Sequence, residues 1–183
     1  EEPISFMWTR QTLLELVRLR CADCRFLIVS NREPYIHQYN AGAIECVQPA
    51  SGLATALEPI MRACGGCWIA HGSGSADRAS VDSNNHVQVP PGNPSYHLRR
   101  LWLTAEQEAR YYDGTSNQAL WPLCHVAFTR PVFRPEDWQG YREVNEIFAR
   151  AVLEEAGDDP TFVFIQDYHL ALVPKLVKER NPK

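Results

Sequence analysis

The chain has 183 residues, 45% of them hydrophobic and 22% charged, with a formal net charge of −4. That length suits one domain able to bury about 70% of its unfolded surface. No apolar run approaches the roughly 20 residues needed to cross a bilayer, and without a basic block the nucleic-acid backbone is excluded as a partner.

The acidic, polar start EEPISFMWTR lacks the layout of a secretory signal, so a cytoplasmic protein is expected. Thr9–Arg20 reads as a surface helix with Leu13, Leu16 and Val17 on one face. Cys24–Ser30 is an apolar run expected to be a buried strand. Asn31–Pro49 is a loop of mixed character, in which Gly42–Gln48 carries a weak hairpin-arm signal. Ser51 is placed to cap a helix over Gly52–Cys64, with Leu53, Leu57, Ile60 and Met61 inward and Pro59 tolerated through a local bend. Gly65-Gly66 stops that helix and Cys67–His71 is the next strand. Gly72–Ser75 then makes a tight polar turn without the lysine of a P-loop or the spacing of a dinucleotide fingerprint.

His86–Val89 and Tyr96–Leu103 read as strands around the proline-rich bend Pro90–Pro94. Thr104 and Gln107 form a capping box for a helix through Tyr112, and Ser116–His125 reads as a second short helix broken at Pro122. A long helix from about Glu136 to Ala156 repeats Trp138, Tyr141, Asn145, Phe148 and Val152 at helical spacing. The last strand, Phe162–Ile165, is expected to be buried. Proline costs little at the first turn of a helix, so Pro174 starts the last helix near Val173 and leaves Asp167, Tyr168 and His169 on a loop. Strands separated by helices predict an α/β fold, a parallel sheet with helices on both faces, interrupted by a β-rich insert.

Two C-x-x-C pairs, Cys21/Cys24 and Cys64/Cys67, raise the question of a four-thiolate zinc site. Their separation is about twice the usual 15–20 residues, and each pair borders a helix instead of a knuckle. Reduced, packed cysteines are therefore expected, with no metal and no cofactor. Without a signal peptide, disulfides are disfavoured.

Three loops follow apolar strands: Asn31-Arg32, His71–Ser75 and Asp167–His169. Parallel strands bring all three to one sheet edge, where open α/β sheets bind ligands. Ser51 and Gly52 open a helix there and offer free backbone N–H groups to an anion. Arg32 is suited to hold a phosphate in two-pronged fashion, and Asp167 to accept from sugar hydroxyls. Tyr112 and Trp121 offer hydrogen-bonding or stacking faces. The plainer readings stay open on these grounds: Arg32 as a surface ion pair, Trp121 as core, Gly52 as a convenient helix start and Asp167 as a backbone cap.

Five strings stand in order: VSNREP (Val29–Pro34), SGLATALEP (Ser51–Pro59), YYDGTSNQALWPLCH (Tyr111–His125), WQGYREVNEIFA (Trp138–Ala149) and FIQDYHLALVP (Phe164–Pro174). Together they resemble the amino-terminal half of the trehalose-6-phosphate synthases, over roughly Phe26 to Lys183. The resemblance implies one Rossmann-like half of a GT-B glycosyltransferase, spanning 25–183 behind a helical extension at 1–24. It implies glucose transfer from UDP-glucose to glucose 6-phosphate with retention. Acceptor binding falls on Arg32, Tyr112 and Asp167, and donor phosphates on Ser51 and Gly52. Trp121 is assigned to the cleft and to selecting the α-configured product.

His169 is a further candidate, and so is His71, which departs from the family's Gly-Trp-Ser-Gly turn because Ala70-His71-Gly72-Ser73-Gly74 stands here. That departure motivates a second acceptor, such as glycerol 3-phosphate; a non-catalytic sugar-phosphate-binding module is the reading from another class. The expected partners are the small-molecule substrates and a carboxyl-terminal donor domain beyond Lys183, without which the chain is expected to be inactive. A homo-oligomer is left open.

Overall fold

The computed structural model describes residues 9–21 and 24–182. A five-stranded sheet runs β5-β6-β4-β1-β7. Its strands are β1 (Arg25–Val29), β4 (Cys67–His71), β5 (His86–Val89), β6 (Tyr96–Leu101) and β7 (Thr161–Ile165). β1 pairs parallel with β4 and with β7, and β4 pairs parallel with β6; β5 alone is antiparallel, pairing with β6 as the edge of the expected β-rich insert. Successive strand residues point to opposite faces, so β1 feeds two cores. Leu27 and Val29 pack with Tyr141, Val144, Phe148 and Val152 of the long helix α6 (Pro135–Ala156). Ile28 packs on the other face with Leu57 and Met61 of α2 (Gly52–Cys64) and with Trp68. The expected α/β sheet with helices on both faces is thus present.

α1 (Arg10–Cys21) packs against α2, with Leu13 and Val17 half-buried; Leu16, expected on the same face, is exposed. The Cys21 side chain lies outside the described part of the structure. The expected loop 31–49 contains a hairpin, β2 (Ile36–Asn40) and β3 (Ala43–Val47). Its two-residue turn has positive φ at both Ala41 and Gly42, as a twisted hairpin demands. The usual sign of such a turn is Asn or Asp in the first position, and Ala41 hides it.

Two further expectations are corrected. The two short helices expected over 104–125 form one unbroken run: α4 (Ala105–Glu108), a π-helical stretch (Ala109–Leu120) and α5 (Trp121–Cys124). Thr104 and Gln107 do form the capping box. Gly114 lets the wide π stretch approach α6, since a Cβ there would meet Asp137 Cγ at 2.5 Å. β7 is an edge strand: Val163 and Ile165 join the core, but Phe162 and Phe164 are exposed on a face that no helix covers among the described residues. An apolar run does not reveal which strand will stand at the edge of the described sheet.

One buried polar network was not foreseen. Arg100 of β6, Glu33 and Asp77 are all at most 1% exposed. The Arg100 guanidinium donates from Nε to Glu33 at 2.7 Å, pairs through Nη2 with Asp77 at 2.9 Å, and donates to Ser80 Oγ and the Tyr35 carbonyl. Glu33 accepts from Ser73 N, and Asp77 accepts from Gly74 N and His37 N. The turn after β4 and the hairpin are therefore fastened to the sheet through one cation.

Burial, with the hydrogen bond to Asp77, pushes the Glu33 carboxyl up to about 8, although Arg100 pulls the other way. With Glu33 protonated, Asp77 and the Arg100 guanidinium form a charge-balanced buried pair. The folded value lies above the ordinary 4.5, so the protonated group favours folding fully below that value and its contribution fades as pH rises toward 8. Stability measured by chemical denaturation is expected to fall across that window, and to fall less in Glu33→Gln. An equal fall in both proteins would assign the slope to another group.

Candidate functional site

The chain leaves β1 toward β4 on one side and returns to β7 on the other, which makes the carboxyl end of β1 the switch point of the sheet. Such a point opens a crevice beyond the strand ends. Asn31 and Arg32 follow β1 there, flanked by His71 at the end of β4 and by Asp167 beyond β7. Two adjoining cavities of about 290 and 220 Å³ share Asn31 and Arg32 as lining residues. The first adds Ser51, Gly52, Gln166, Asp167 and His169; the second adds His71, Glu108 and Tyr112.

Arg32 is exposed, and its backbone is fixed from below: Ser30 Oγ donates to the Arg32 carbonyl at 2.7 Å and accepts from the buried Trp68 indole at 2.8 Å. The Arg32 guanidinium donates to Tyr112 Oη at 3.3 Å, and this bond raises its pKa further, so the cation is permanent. Tyr111, the other half of the pair, is buried and donates to Asn31 Oδ1 at 3.1 Å.

Ser51 accepts from Ala54 N as the helix cap, at 3.4 Å. The first amides of α2 lie next to it, on the cavity wall formed by Gly52 and Leu53. An added Cβ at Gly52 would meet nothing within 4 Å. Packing does not demand glycine here; its bareness keeps the helix end open to the cavity.

Asp167 both caps and faces the cavity. Its Oδ1 accepts from Tyr168 N at 2.7 Å and its Oδ2 lies 3.4 Å from His169 Nδ1, while its side chain remains 47% exposed. Its backbone sits at φ 74°, ψ 161°, a region almost reserved for glycine that costs about 1–3 kcal/mol elsewhere. The loop is held there by α6: Tyr141 Oη donates to the Tyr168 carbonyl at 2.5 Å and accepts from Ala171 N, and Asn145 donates to the His169 carbonyl and accepts from Leu172 N. Tyr141 and Asn145 stood in the sequence only as members of an apolar stripe. The signal was available, because a buried asparagine in such a stripe needs polar partners.

His169 is buried, stacks on Tyr112 at 5.3 Å and on Tyr168 at 4.3 Å, and its Nε2 has no hydrogen-bond partner among the described residues. Burial pushes its pKa down, opposed by Asp167 and aided by Arg32. Burial likewise lowers His71, against the pull of Glu108 and Asp77. Both imidazoles are neutral donor–acceptor groups on the cavity walls. Trp121 is the candidate that the structure leaves outside both cavities. It is 40% exposed and stacks on His125 at 4.8 Å, and His125 meets Tyr168 edge-on at 6.1 Å. It reaches the site through a ladder of rings.

A cation, a carboxylate, a helix N-terminus and neutral imidazoles around one crevice suit a phosphorylated, hydroxyl-rich ligand. The model for glycosyltransferase family 20 matches residues 24–183. The trehalose-6-phosphate synthase of Mycolicibacterium gilvum is 37% identical over 163 residues, which is 88% of this chain and 31% of that protein. Among solved structures, a trehalose-6-phosphate synthase described as OtsA superposes with a TM-score of 0.63 at 25% identity, over 86% of this chain and 31% of that one. The Escherichia coli protein bound with UDP-2-fluoro glucose gives 0.62 at 26% identity, over 86% and 30%. The chain thus spans about a third of the length of these relatives.

Proposed function

This chain belongs to glycosyltransferase family 20, and we propose that it forms the acceptor-side domain, residues 25–183, of an α,α-trehalose-phosphate synthase. The reaction proposed for the whole enzyme is transfer of glucose from UDP-glucose to glucose 6-phosphate with retention, in the cytoplasm. What chiefly supports the reading is that Arg32 stands at the sheet's switch point with Tyr112 and Asp167 on either side, each inside a string that resembles the family's.

In this reading Arg32 grips the acceptor phosphate with two parallel N–H donors, and its bond to Tyr112 sets the plane of the fork. Asp167 accepts from an acceptor hydroxyl, with His169 behind it limiting its rotation. The first amides of α2, beside Ser51 and Gly52, face the donor phosphates, where the helix dipole favours negative charge. Trp121 forms the outer rim and biases the product's configuration. Catalysis then rests on positioning and charge, and a carboxyl-terminal donor domain supplies the remaining cations. The isolated chain is accordingly expected to be inactive.

Arg32→Ala in the full-length enzyme is expected to raise the acceptor KM at least tenfold, the loss of a charge-assisted hydrogen bond of about 1.5–3 kcal/mol. The donor KM is expected to move little. Equal increases in both constants would refute the acceptor-phosphate role. His71 on the wall beside Arg32 and Tyr112 supports a second reading, transfer to a smaller phosphorylated acceptor such as glycerol 3-phosphate. A substrate panel followed by UDP release separates the two.

A further inference from the structure

The sheet's opposite end holds a second group of chemically capable residues. Cys67 begins β4, His86 begins β5, and Glu155 lies in the last turn of α6. Their ligand atoms all lie within 4.8 Å of one another, with Cys67 buried and the other two half-buried. Three separate elements deliver them, so local sequence spacing does not explain the convergence. Beside them opens a cavity of about 550 Å³, which Cys24, Cys64 and His97 also line.

We propose that Cys67, His86 and Glu155 bind a thiophilic divalent cation, zinc by their donor chemistry, with the cavity supplying water as the fourth ligand. One thiolate, one imidazole and one carboxylate form a mixed set that favours zinc over calcium or magnesium, which take oxygen ligands. The thiolate and the carboxylate neutralise the metal's two charges, and the thiol proton leaves to solvent on binding.

One of the three, His86, is also placed from behind. Asp82 Oδ1 accepts from His86 N and Asn84 N, and lies 3.9 Å from His86 Nδ1, so His86 Nε2 is the nitrogen turned toward Glu155 at 2.8 Å. At 3.9 Å the ring contact is longer than a hydrogen bond, so Asp82 places His86 through its backbone amide and lends only nearby negative charge to the imidazole. A tetrahedral zinc at about 2.0–2.3 Å from each ligand spaces them roughly 3.3–3.8 Å apart, so closure requires side-chain movement of about an ångström.

The obvious objection is Arg99, which donates to Glu155 at 2.8 Å. Arg99 also pairs with Glu154 and donates to the Ala151 carbonyl, so it keeps its own counter-charge when Glu155 turns to a metal. Arg25, on the same cavity, is paired with Asp159 at 2.8 Å. Neither arginine depends on the three ligands for neutralisation.

The test is titration of the intact protein with cobalt(II) as a coloured stand-in, followed by displacement with zinc and calorimetry. One equivalent with a thiolate-to-cobalt charge-transfer band is expected, abolished in Cys67→Ser and retained in Cys46→Ser and Cys124→Ser. His86→Gln and Glu155→Gln are each expected to weaken zinc binding at least tenfold; their partial exposure keeps these two arms informative if Cys67→Ser fails to fold. Absence of the band, its survival in Cys67→Ser, or unchanged zinc affinity in both His86→Gln and Glu155→Gln overturns the proposal and leaves an ion-pair cluster only.

Discussion

Arg100→Ala is expected to destabilise the fold by about 3–5 kcal/mol, the usual cost of removing one partner from a buried ion cluster. The substitution leaves Glu33 and Asp77 facing each other without a cation, in a site where neither is more than 1% exposed. It also removes the donors to Ser80 and the Tyr35 carbonyl. Urea denaturation at neutral pH measures the cost. Replacing two members with neutral groups of similar size, as in Glu33→Gln with Arg100→Met, is expected to cost less than Arg100→Ala alone, because methionine fills most of the buried space that alanine would leave empty. A cost below about 1 kcal/mol for Arg100→Ala would show that the surroundings relax and let water in.

The second large effect separates stability from activity at Asp167. Asp167→Gly and Asp167→Ala both remove the carboxylate, and under the proposed acceptor role each is expected to lower kcat/KM for glucosyl transfer by about 10- to 150-fold, or about 1.5–3 kcal/mol. Their stabilities are expected to differ. Alanine loses the bond to Tyr168 N and keeps the strained backbone, whereas glycine loses the same bond and relieves the strain. Glycine's extra unfolded-state entropy offsets only about 0.5–1 kcal/mol of that relief. Asp167→Gly is therefore expected to be more stable than Asp167→Ala by about 1 kcal/mol, read from denaturation midpoints. Equal stability would mean that the backbone conformation is not strained. Full activity in either variant would remove Asp167 from the site.

Much of this could be read from residue order alone. Patterning located β1, β4, α2 and the long helix, because runs such as Leu27-Ile28-Val29 and repeats such as Tyr141, Asn145, Phe148 and Val152 report local periodicity directly. Arg32, His71 and Asp167 converge because parallel strands share a direction, and that inference needs only the order of strands and helices. What escaped depends on distant partners. Nothing local distinguishes Arg100, buried, from Arg99, which reaches out to Glu154 and Glu155. Nothing local marks β7 as the edge of the described sheet, which requires knowing that the chain returns to the far side of β1. The hairpin was legible only through its second arm, where the weak signal at Gly42–Gln48 matches β3; its turn escaped because Ala41 occupies a position where the informative residues are Asn, Asp or Gly. The choice for Asp167 between cap and cavity wall also proved false, because one oxygen caps while the carboxylate as a whole stays open to solvent.

The strand order also sets a timetable. β1 is made early, but one of its two neighbours, β7, is the last of the described strands in chain order, and the loop that follows it carries Asp167 and His169. On the ribosome, β1, β4 and α2 can assemble while the crevice still lacks one wall. The Asp-Tyr-His loop cannot take its strained form until Tyr141 and Asn145 have docked above it. Pairings of such long sequence separation form slowly, and an unpaired β1 edge is open to wrong partners in the interval. The residues that would hold a sugar phosphate are thus completed only after the other four described strands of this sheet, and a chain stopping before residue 161 would lack Asp167, His169 and the core side chains Leu170 and Val173.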